Sequence, residues 1–209
     1  MNSKNNEVRR MSGIALMAAV IVVLANTPLG MIQLPVIKAT TVHIPVILGA
    51  VIFGPAAGAL LGAVFGICSL ISNTVAPTLL SFAFSPFLST TGLIGAIKAL
   101  WISLGCRILM GFLSGMLWVP LRSLSHNRTL PLALEGFIMS SVHTLVVMGS
   151  IYILLAGEYA AAKNVAYEAV WGLIMGTILA SGIPEAVAAA VIVCLVGRVL
   201  LKVAKQNFD

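Results

Sequence analysis

Charged residues are scarce in this chain: 9% of its 209 residues are Asp, Glu, Lys or Arg, whereas 60% are hydrophobic. The mean hydropathy is +1.09. A soluble globular domain has about a quarter of its residues charged, so this composition excludes that class and predicts an integral membrane protein. The formal net charge of +6 comes from basic residues scattered mainly at the ends of predicted helices, which indicates membrane topology rather than nucleic-acid binding.

The sequence also lacks the short motifs of catalysis. It contains no nucleophile elbow, no His-Glu-x-x-His zinc motif, no phosphate-binding glycine loop and no closely spaced carboxylate pair. We therefore expect a protein that is not an enzyme and that cannot itself hydrolyse ATP. The three cysteines, Cys68, Cys106 and Cys194, lie singly inside apolar runs without Cys-x-x-Cys spacing. This spacing argues against a disulfide framework or a metal site, and we expect no metal and no cofactor.

The apolar runs are broken by Gly, Pro and short polar segments. They lack the alternation of a transmembrane barrel, so they predict helices whose backbone hydrogen bonds are satisfied internally. At about 20 residues per span, the chain accommodates roughly five to seven helices and no soluble domain. We predict one all-α membrane domain, 1–209, with six spans. The predicted spans are 11–26, 43–53, 55–73, 102–121, 130–156 and 184–205, and the apolar outer loops are 27–42, 74–101 and 157–183.

The basic residues at the two ends of the chain predict its orientation. Arg9 and Arg10 precede the first span, which places the N-terminus in the cytoplasm by the positive-inside rule. The last span ends in Arg198, Lys202 and Lys205, which places the C-terminus on the same side.

The stretch 43–73 predicts a helical hairpin that turns at Gly54-Pro55. Pro55 has a fixed φ and no N–H to donate, so it suits the first turn of a new helix. Small residues four apart on one face allow another helix to approach closely in a membrane. The second helix carries such a face, formed by Gly58, Gly62 and Gly66.

Two further features of the first part of the chain have alternative interpretations. Ala15, Ala18 and Ala19 form a small-residue patch on the first span that could seat a partner helix or pack internally. Residues 27–42 contain Pro28 and Gly30 and are unusually apolar for a loop, so we expect them to fold back over the protein. A mobile lid and a static plug are both consistent with that loop.

Polar residues at similar predicted depth on separate spans predict one shared cavity on the outer side. The candidate binding residues are His43, Asn73, Arg107, His143, Thr144 and Glu185. A guanidinium can hold a carboxylate in two-point geometry, so Arg107 is the expected anion anchor.

Four of these candidates also have a structural interpretation. Asn73 could cap its helix, and His143 could bond across helices. Arg107 could neutralise Glu185 or extend toward the membrane surface. Glu185 could instead be stabilised in the first turn of a helix by the helix dipole.

Four segments of the chain resemble the substrate-binding S components of energy-coupling factor (ECF) vitamin transporters, and among these the pantothenate-specific branch most. The segments are TTVHIPVILGAVIFGPAAGALLGAVFGICSLISNT at 40–74, FSPF at 84–87, CRILMGFLSG at 106–115 and SGIPEA at 181–186. The resemblance implies a six-helix S-component fold in the bacterial cell membrane. It also implies a vitamin pocket near the extracellular face, gated by the loop between the first two helices.

The same resemblance implies partners and a transport cycle. The S component would dock to a transmembrane coupling subunit through Ala15, Ala18 and Ala19, together with two cytosolic ATPases, and would topple in the membrane to carry its pocket inward. Pantothenate is a small anion with hydroxyls and an amide. Arg107 would take its carboxylate, and Asn73, His143 and Thr144 would hydrogen-bond the remainder.

Three alternatives remain open from the sequence. The ligand could be another vitamin or precursor such as riboflavin, although the few aromatic residues near the expected pocket argue against a wide aromatic slot. The chain could be a stand-alone secondary transporter in which Glu135 or Glu185 carries a proton. It could also be a structural membrane subunit without a ligand.

Overall fold

Six apolar helical segments build the protein. The computed structural model describes residues 3–28, 30–33, 38–125 and 127–208. One of the segments is the shorter helix His43–Phe53. The five segments long and apolar enough to cross a membrane are Asn6–Ala25, Pro55–Val75, Gly92–Leu121, Thr129–Lys163 and Tyr167–Val203. The predicted all-α membrane fold is confirmed.

The N-terminal half begins with three helices. They are α1 (Ser3–Ala25), α2 (His43–Phe53) and α3 (Pro55–Val75). The chain turns between α2 and α3 at Gly54, whose φ of +89° is readily adopted only by glycine, and Pro55 opens α3 as the sequence predicts.

The connection between α1 and α2 contains the only β structure of the described residues. β1 (Met31–Gln33) pairs antiparallel with β2 (Lys38–Thr40), in a register that places Ile32 opposite Ala39. The predicted apolar loop 27–42 therefore contains a β-hairpin. Residues 29 and 34–37 of that loop lie outside the described residues.

The C-terminal half contains longer helical segments than the predicted spans. α4 (Gly92–Leu100) continues through a π-helical turn (Trp101–Gly105) into α5 (Cys106–Leu121). α6 (Thr129–Lys163) follows, and α7 (Val170–Thr177) continues through a second π-helical turn (Ile178–Gly182) into α8 (Ile183–Phe208).

The second π-helical turn explains why the helix does not stop at the Ser-Gly-Ile-Pro sequence. Pro184 cannot donate a backbone hydrogen bond, which normally interrupts a helix. A π turn changes the hydrogen-bond register locally while the helix axis continues. Within the predicted outer segment 157–183, the expectation for residues 168–180 is a separate outer-side or re-entrant helix. Residues 170–180 instead form one helical segment with α8.

Glycines bring α3 and α5 into backbone contact. A Cβ atom placed on Gly58 would overlap the carbonyl oxygen of Gly111, and one placed on Gly62 would overlap the carbonyl oxygen of Arg107. The predicted close approach along this glycine face is confirmed. It positions the start of α5, and with it Arg107, directly against α3.

The interior consists of two hydrophobic clusters. The first joins α1, α2, α3 and α5 to the N-terminal half of α6 and to α8, and it includes Phe65, Met110 and Trp118. The second joins the π turn before α5, the C-terminal half of α6, α7 and the 3₁₀ turn Ser81–Ala83, and it includes Tyr159. Arg107 and His143 are buried polar side chains that lie along this interior.

Candidate functional site

A small polar cavity lies where the β1–β2 hairpin, α5, α6 and the α7–α8 segment meet. Its volume is about 60 Å³. It is lined by Thr40, Phe84, Arg107, His143, Thr144, Val147, Met148, Thr177, Ser181, Gly182 and Glu185. Of the six predicted binding residues, it brings together Arg107, His143, Thr144 and Glu185. We call it the polar cavity.

One π-helical turn lines the polar cavity, and the other lies just before Arg107, which is one of its walls. Arg107 follows the turn Trp101–Gly105, and its Nη1 donates a hydrogen bond of 2.6 Å to the carbonyl oxygen of Ile102. The turn Ile178–Gly182 supplies Ser181 and Gly182 to the opposite wall. π-Helical turns are frequent at functional sites because they re-aim side chains within an otherwise continuous helix.

Arg107 is a buried cation, with only 5% of its surface exposed. Its guanidinium carbon lies 4.9 Å from the ring centroid of Phe65 and 5.4 Å from that of Phe84, distances typical of cation–π contacts. Its Nε has no hydrogen-bond partner in the described part of the chain. A guanidinium has five N–H donors, so this side chain retains donor capacity for an anion.

His143 lies beside Arg107 and is stacked on His43. The two imidazole centroids are 5.6 Å apart with an interplanar angle of 21°, and Phe65 packs 5.8 Å from His143. His143 lines the polar cavity and its Nε2 lacks a hydrogen-bond partner, whereas His43 is not among the lining residues. His143 therefore contacts both the polar cavity and the ring of His43.

Asn73 lies outside the lining of the polar cavity, and its side chain is engaged elsewhere. Its Nδ2 donates to the carbonyl oxygen of Ser69 at 2.8 Å, and its Oδ1 accepts a 2.7 Å hydrogen bond from Ser81 Oγ. Ser81 Oγ also accepts a hydrogen bond from the backbone N–H of Thr78. Asn73 thus ties α3 to the turn that leads into Phe84, a wall of the cavity.

Glu185 forms a second charged wall of the polar cavity. Its Oε1 accepts a hydrogen bond of 3.4 Å from the backbone N–H of Thr40, which links α8 to the end of β2. Glu185 and Arg107, both among the described residues, form no ion pair with each other. Because the π turn joins α7 directly to α8, Glu185 does not lie at a free helix N-terminus.

Glu135, the other carboxylate considered from the sequence, lies away from the polar cavity. It is fully buried and its Oε1 accepts a 2.8 Å hydrogen bond from Ser114 Oγ of α5, while Oε2 has no partner among the described residues. Among the described residues of the whole chain, no three His, Cys, Asp or Glu side chains lie close enough together to bind one metal ion.

Several lining residues are not predicted as site residues from the sequence. Thr40, Thr177 and Ser181 add hydroxyl groups, and Phe84 adds an aromatic wall. Phe84 and Ser181 belong to the FSPF and SGIPEA segments of the family resemblance, and that membership could have identified them as candidate site residues. Thr177 carries no such signal, because it is an ordinary threonine in an apolar helix.

Two comparisons with known proteins address the function of this cavity. The family model "ECF transporter, substrate-specific component" matches residues 9–197. The pantothenic acid transporter PanT of Lactococcus lactis subsp. cremoris (strain MG1363) is 32% identical over 161 residues, which cover 74% of this chain and 80% of that protein.

Proposed function

The chain belongs to the family of substrate-specific components of ECF transporters, and we propose that the vitamin it binds is pantothenate. It is a multi-pass protein of the bacterial plasma membrane and a substrate-binding subunit of a transporter rather than an enzyme. The choice of pantothenate is supported by the similarity to a pantothenic acid transporter and by the chemistry of the polar cavity.

The observation that carries this proposal is the buried guanidinium of Arg107. A cation in a membrane interior is costly unless it is paired, and no acidic side chain of the described residues pairs with Arg107. A carboxylate ligand would supply that partner with charge-assisted hydrogen bonds. The carboxylate of pantothenate fits this requirement, whereas a neutral vitamin would leave the guanidinium unpaired.

The remaining walls suit the remainder of the vitamin. His143, Thr144 and Thr177 offer hydrogen-bonding groups for an amide and hydroxyls. Val147, Met148 and Phe84 offer apolar surface for a methyl-substituted carbon chain. Ligand sites commonly combine such apolar walls with a few placed polar groups.

The polar cavity has to widen when the vitamin binds. At about 60 Å³ it has the volume of roughly two water molecules, whereas pockets for small organic ligands measure about 300–1,000 Å³. Thr40, at the end of β2, forms one wall, and a hydrogen bond of 3.4 Å from its N–H links the hairpin to Glu185 of α8. We infer that the β1–β2 hairpin moves to admit the ligand, so the loop 27–42 acts as a lid.

Transport requires partners that this chain does not itself contain. We propose that a transmembrane coupling subunit and two cytosolic ATPases complete the transporter, with ATP hydrolysis in the ATPases and a toppling of this subunit that carries the cavity inward. α1 suits such docking because its apolar segment is the least buried of the five candidate membrane spans. Ala15 and Ala19 lie exposed on it, and Ala18 is half-buried beside them.

The identity of the ligand is tested by denaturing the purified protein and identifying the released small molecule by mass spectrometry. Pantothenate is expected, and isothermal titration of the stripped protein should then show one saturable site for it. Release of a different vitamin, or no heat on titration with pantothenate, would contradict the proposal. Riboflavin and thiamine serve as controls that should not bind.

A further inference from the structure

The polar cavity has walls of opposite charge that do not neutralise each other. Arg107 of α5 is held by the carbonyl oxygen of Ile102, and Glu185 of α8 by the backbone N–H of Thr40. Oppositely charged side chains around so small a cavity would gain energy by pairing directly. Because each is instead held by a backbone group, the two walls remain available to opposite ends of one ligand.

Glu185 retains most of its capacity to accept hydrogen bonds. A carboxylate offers about four acceptor sites, and the structure occupies one of them with a bond of 3.4 Å. Thr40 and Ser181 line the cavity beside it, and Gly182 is packed against the Thr144 side chain. An uncompensated carboxylate at this position favours ligand groups that donate hydrogen bonds.

We propose that Glu185 determines specificity by accepting hydrogen bonds from ligand hydroxyl groups opposite the anionic end, and by excluding ligands with a second negative charge. This inference rests on the proposed function and narrows it to a substrate class, the monoanions that carry hydroxyls. It also sets the orientation of the ligand. The carboxylate lies at Arg107, and the hydroxyl end lies at Glu185 beneath the β1–β2 hairpin.

The position of Thr40 supports this orientation. Its Oγ1 donates to the carbonyl oxygen of Gly30 at 3.1 Å and accepts from the backbone N–H of Val42 at 3.2 Å, so Thr40 fixes the base of the hairpin. The N–H of the same residue donates to Glu185. A ligand hydroxyl at Glu185 therefore lies next to the point at which the hairpin is attached to α8.

The test measures affinities of the purified wild-type protein for three anions. They are pantothenate; N-(3,3-dimethylbutanoyl)-β-alanine, which keeps the carboxylate, the amide and the methyl groups but has no hydroxyl; and a pantothenate derivative whose terminal hydroxymethyl group is oxidised to a carboxylate. The wild-type protein should bind pantothenate at least about tenfold more tightly than the dehydroxylated analogue, the size expected for a hydrogen bond to a charged acceptor. It should bind the dianion more weakly still.

Glu185→Gln assigns these preferences to one side chain. The amide removes the charge with little change of shape. The preference of the variant for pantothenate over the dehydroxylated analogue should therefore be about tenfold smaller than that of the wild type. The variant should also bind the dianion at least about tenfold more tightly than the wild type does. Glu168→Gln, a change at an exposed glutamate outside the cavity, is the matched control and should preserve all three affinities.

The outcomes separate this inference from the proposed function. A wild-type protein that fails to bind pantothenate contradicts both. One that binds pantothenate and its dehydroxylated analogue equally overturns the role of Glu185 alone, and this comparison does not depend on the folding of any variant. A folded Glu185→Gln protein that weakens both ligands equally, with no gain for the dianion, would show that Glu185 only attaches the hairpin.

Discussion

The guanidinium of Arg107 donates a 2.6 Å hydrogen bond to the carbonyl oxygen of Ile102, five residues earlier in the same helical segment and across a π-helical turn. This bond satisfies one donor of a buried cation without neutralising its charge. It also holds the side chain between the rings of Phe65 and Phe84. Arg107 also lines the polar cavity.

Arg107→Lys should weaken pantothenate binding about tenfold to a hundredfold. Lysine keeps the charge but lacks the planar fork that binds a carboxylate through two parallel hydrogen bonds. The dissociation constant from isothermal titration measures the effect. Arg122→Lys, at an exposed arginine just beyond α5, is the control and should bind normally. Unchanged affinity in Arg107→Lys would be consistent with a single-point contact, and unchanged affinity in Arg107→Ala would remove Arg107 from the site.

Gly58→Ala should destabilise the protein by about 1–3 kcal/mol, the usual cost of overpacking a tight interface. The added methyl group would overlap the backbone of Gly111, and neither backbone can move without separating α3 from α5. The midpoint of thermal unfolding in detergent measures the loss. Gly149→Ala is the matched control because a Cβ there meets no atom within 4 Å. Alanine also favours the helix, so the control should be neutral or slightly stabilising.

Asn73→Ala should loosen the turn that leads into Phe84. The substitution removes the hydrogen bond from Ser81 Oγ, whose loss costs about 1 kcal/mol, and leaves a buried hydroxyl with fewer partners. We expect faster amide hydrogen exchange in residues 78–85 and a several-fold weaker affinity for pantothenate. Asn26→Ala is the control, because Asn26 is exposed and, among the described residues, its Nδ2 donates only to the carbonyl oxygen of Val22, in the helix that it follows.

The two measurements on Asn73→Ala distinguish positioning from direct contact. If the affinity falls sharply while exchange in residues 78–85 stays at the wild-type rate, Asn73 contacts the ligand itself, as the sequence alone predicts. If hydrogen exchange in residues 78–85 becomes faster and the affinity falls as well, the side chain of Asn73 acts on the ligand through that turn.

Ala15→Leu and Ala19→Leu should each impair assembly with the coupling subunit while leaving vitamin binding intact. Larger side chains on a small-residue face prevent the close approach of a partner helix, and overpacking at this scale corresponds to about tenfold weaker association. Co-purification with the coupling subunit and ATPases measures assembly. Ala188→Leu, at an exposed alanine of α8, is the control. Normal assembly of both α1 variants would place the docking surface elsewhere.

Local features of the sequence account for much of the fold. The glycines at 58, 62 and 66 recur every fourth residue, so their common face and its close packing follow from helical periodicity alone. The Gly54-Pro55 turn follows from residue chemistry in the same way. The continuous helix through 178–182 does not follow from residue chemistry, because a serine, a glycine and a proline ordinarily end a helix. Here a π turn lets the helix continue past them.

The site could be predicted less completely than the fold. The sequence predicts Asn73 and Arg107 at similar depth, yet only Arg107 lines the polar cavity. Relative depth depends on where two helices contact each other. Gly62 of α3 meets Arg107 and Gly66 meets Ser103, so Asn73 lies about two turns beyond Gly66 and farther along α3 than Arg107.

The direction in which a side chain points depends on its angular position around the helix axis. That angle changes by about 100° with each residue and shifts at every π turn. Thr40 and Phe84 come from connections whose paths are set by contacts distant in sequence.

The amino-acid sequence by itself determined the membrane class, the helical character of the spans, the glycine face of α3 and the resemblance to ECF substrate-specific components. Composition, periodicity and motifs are local properties. The tertiary structure showed that α5 is the helix packed on that face. Only the tertiary structure decided which polar groups meet. It placed Arg107 and Glu185 on walls of one cavity without pairing them and used the side chain of Asn73 to hold Ser81. The physical reason is that a buried polar group takes the partner that packing brings within hydrogen-bonding distance, and packing depends on the whole bundle.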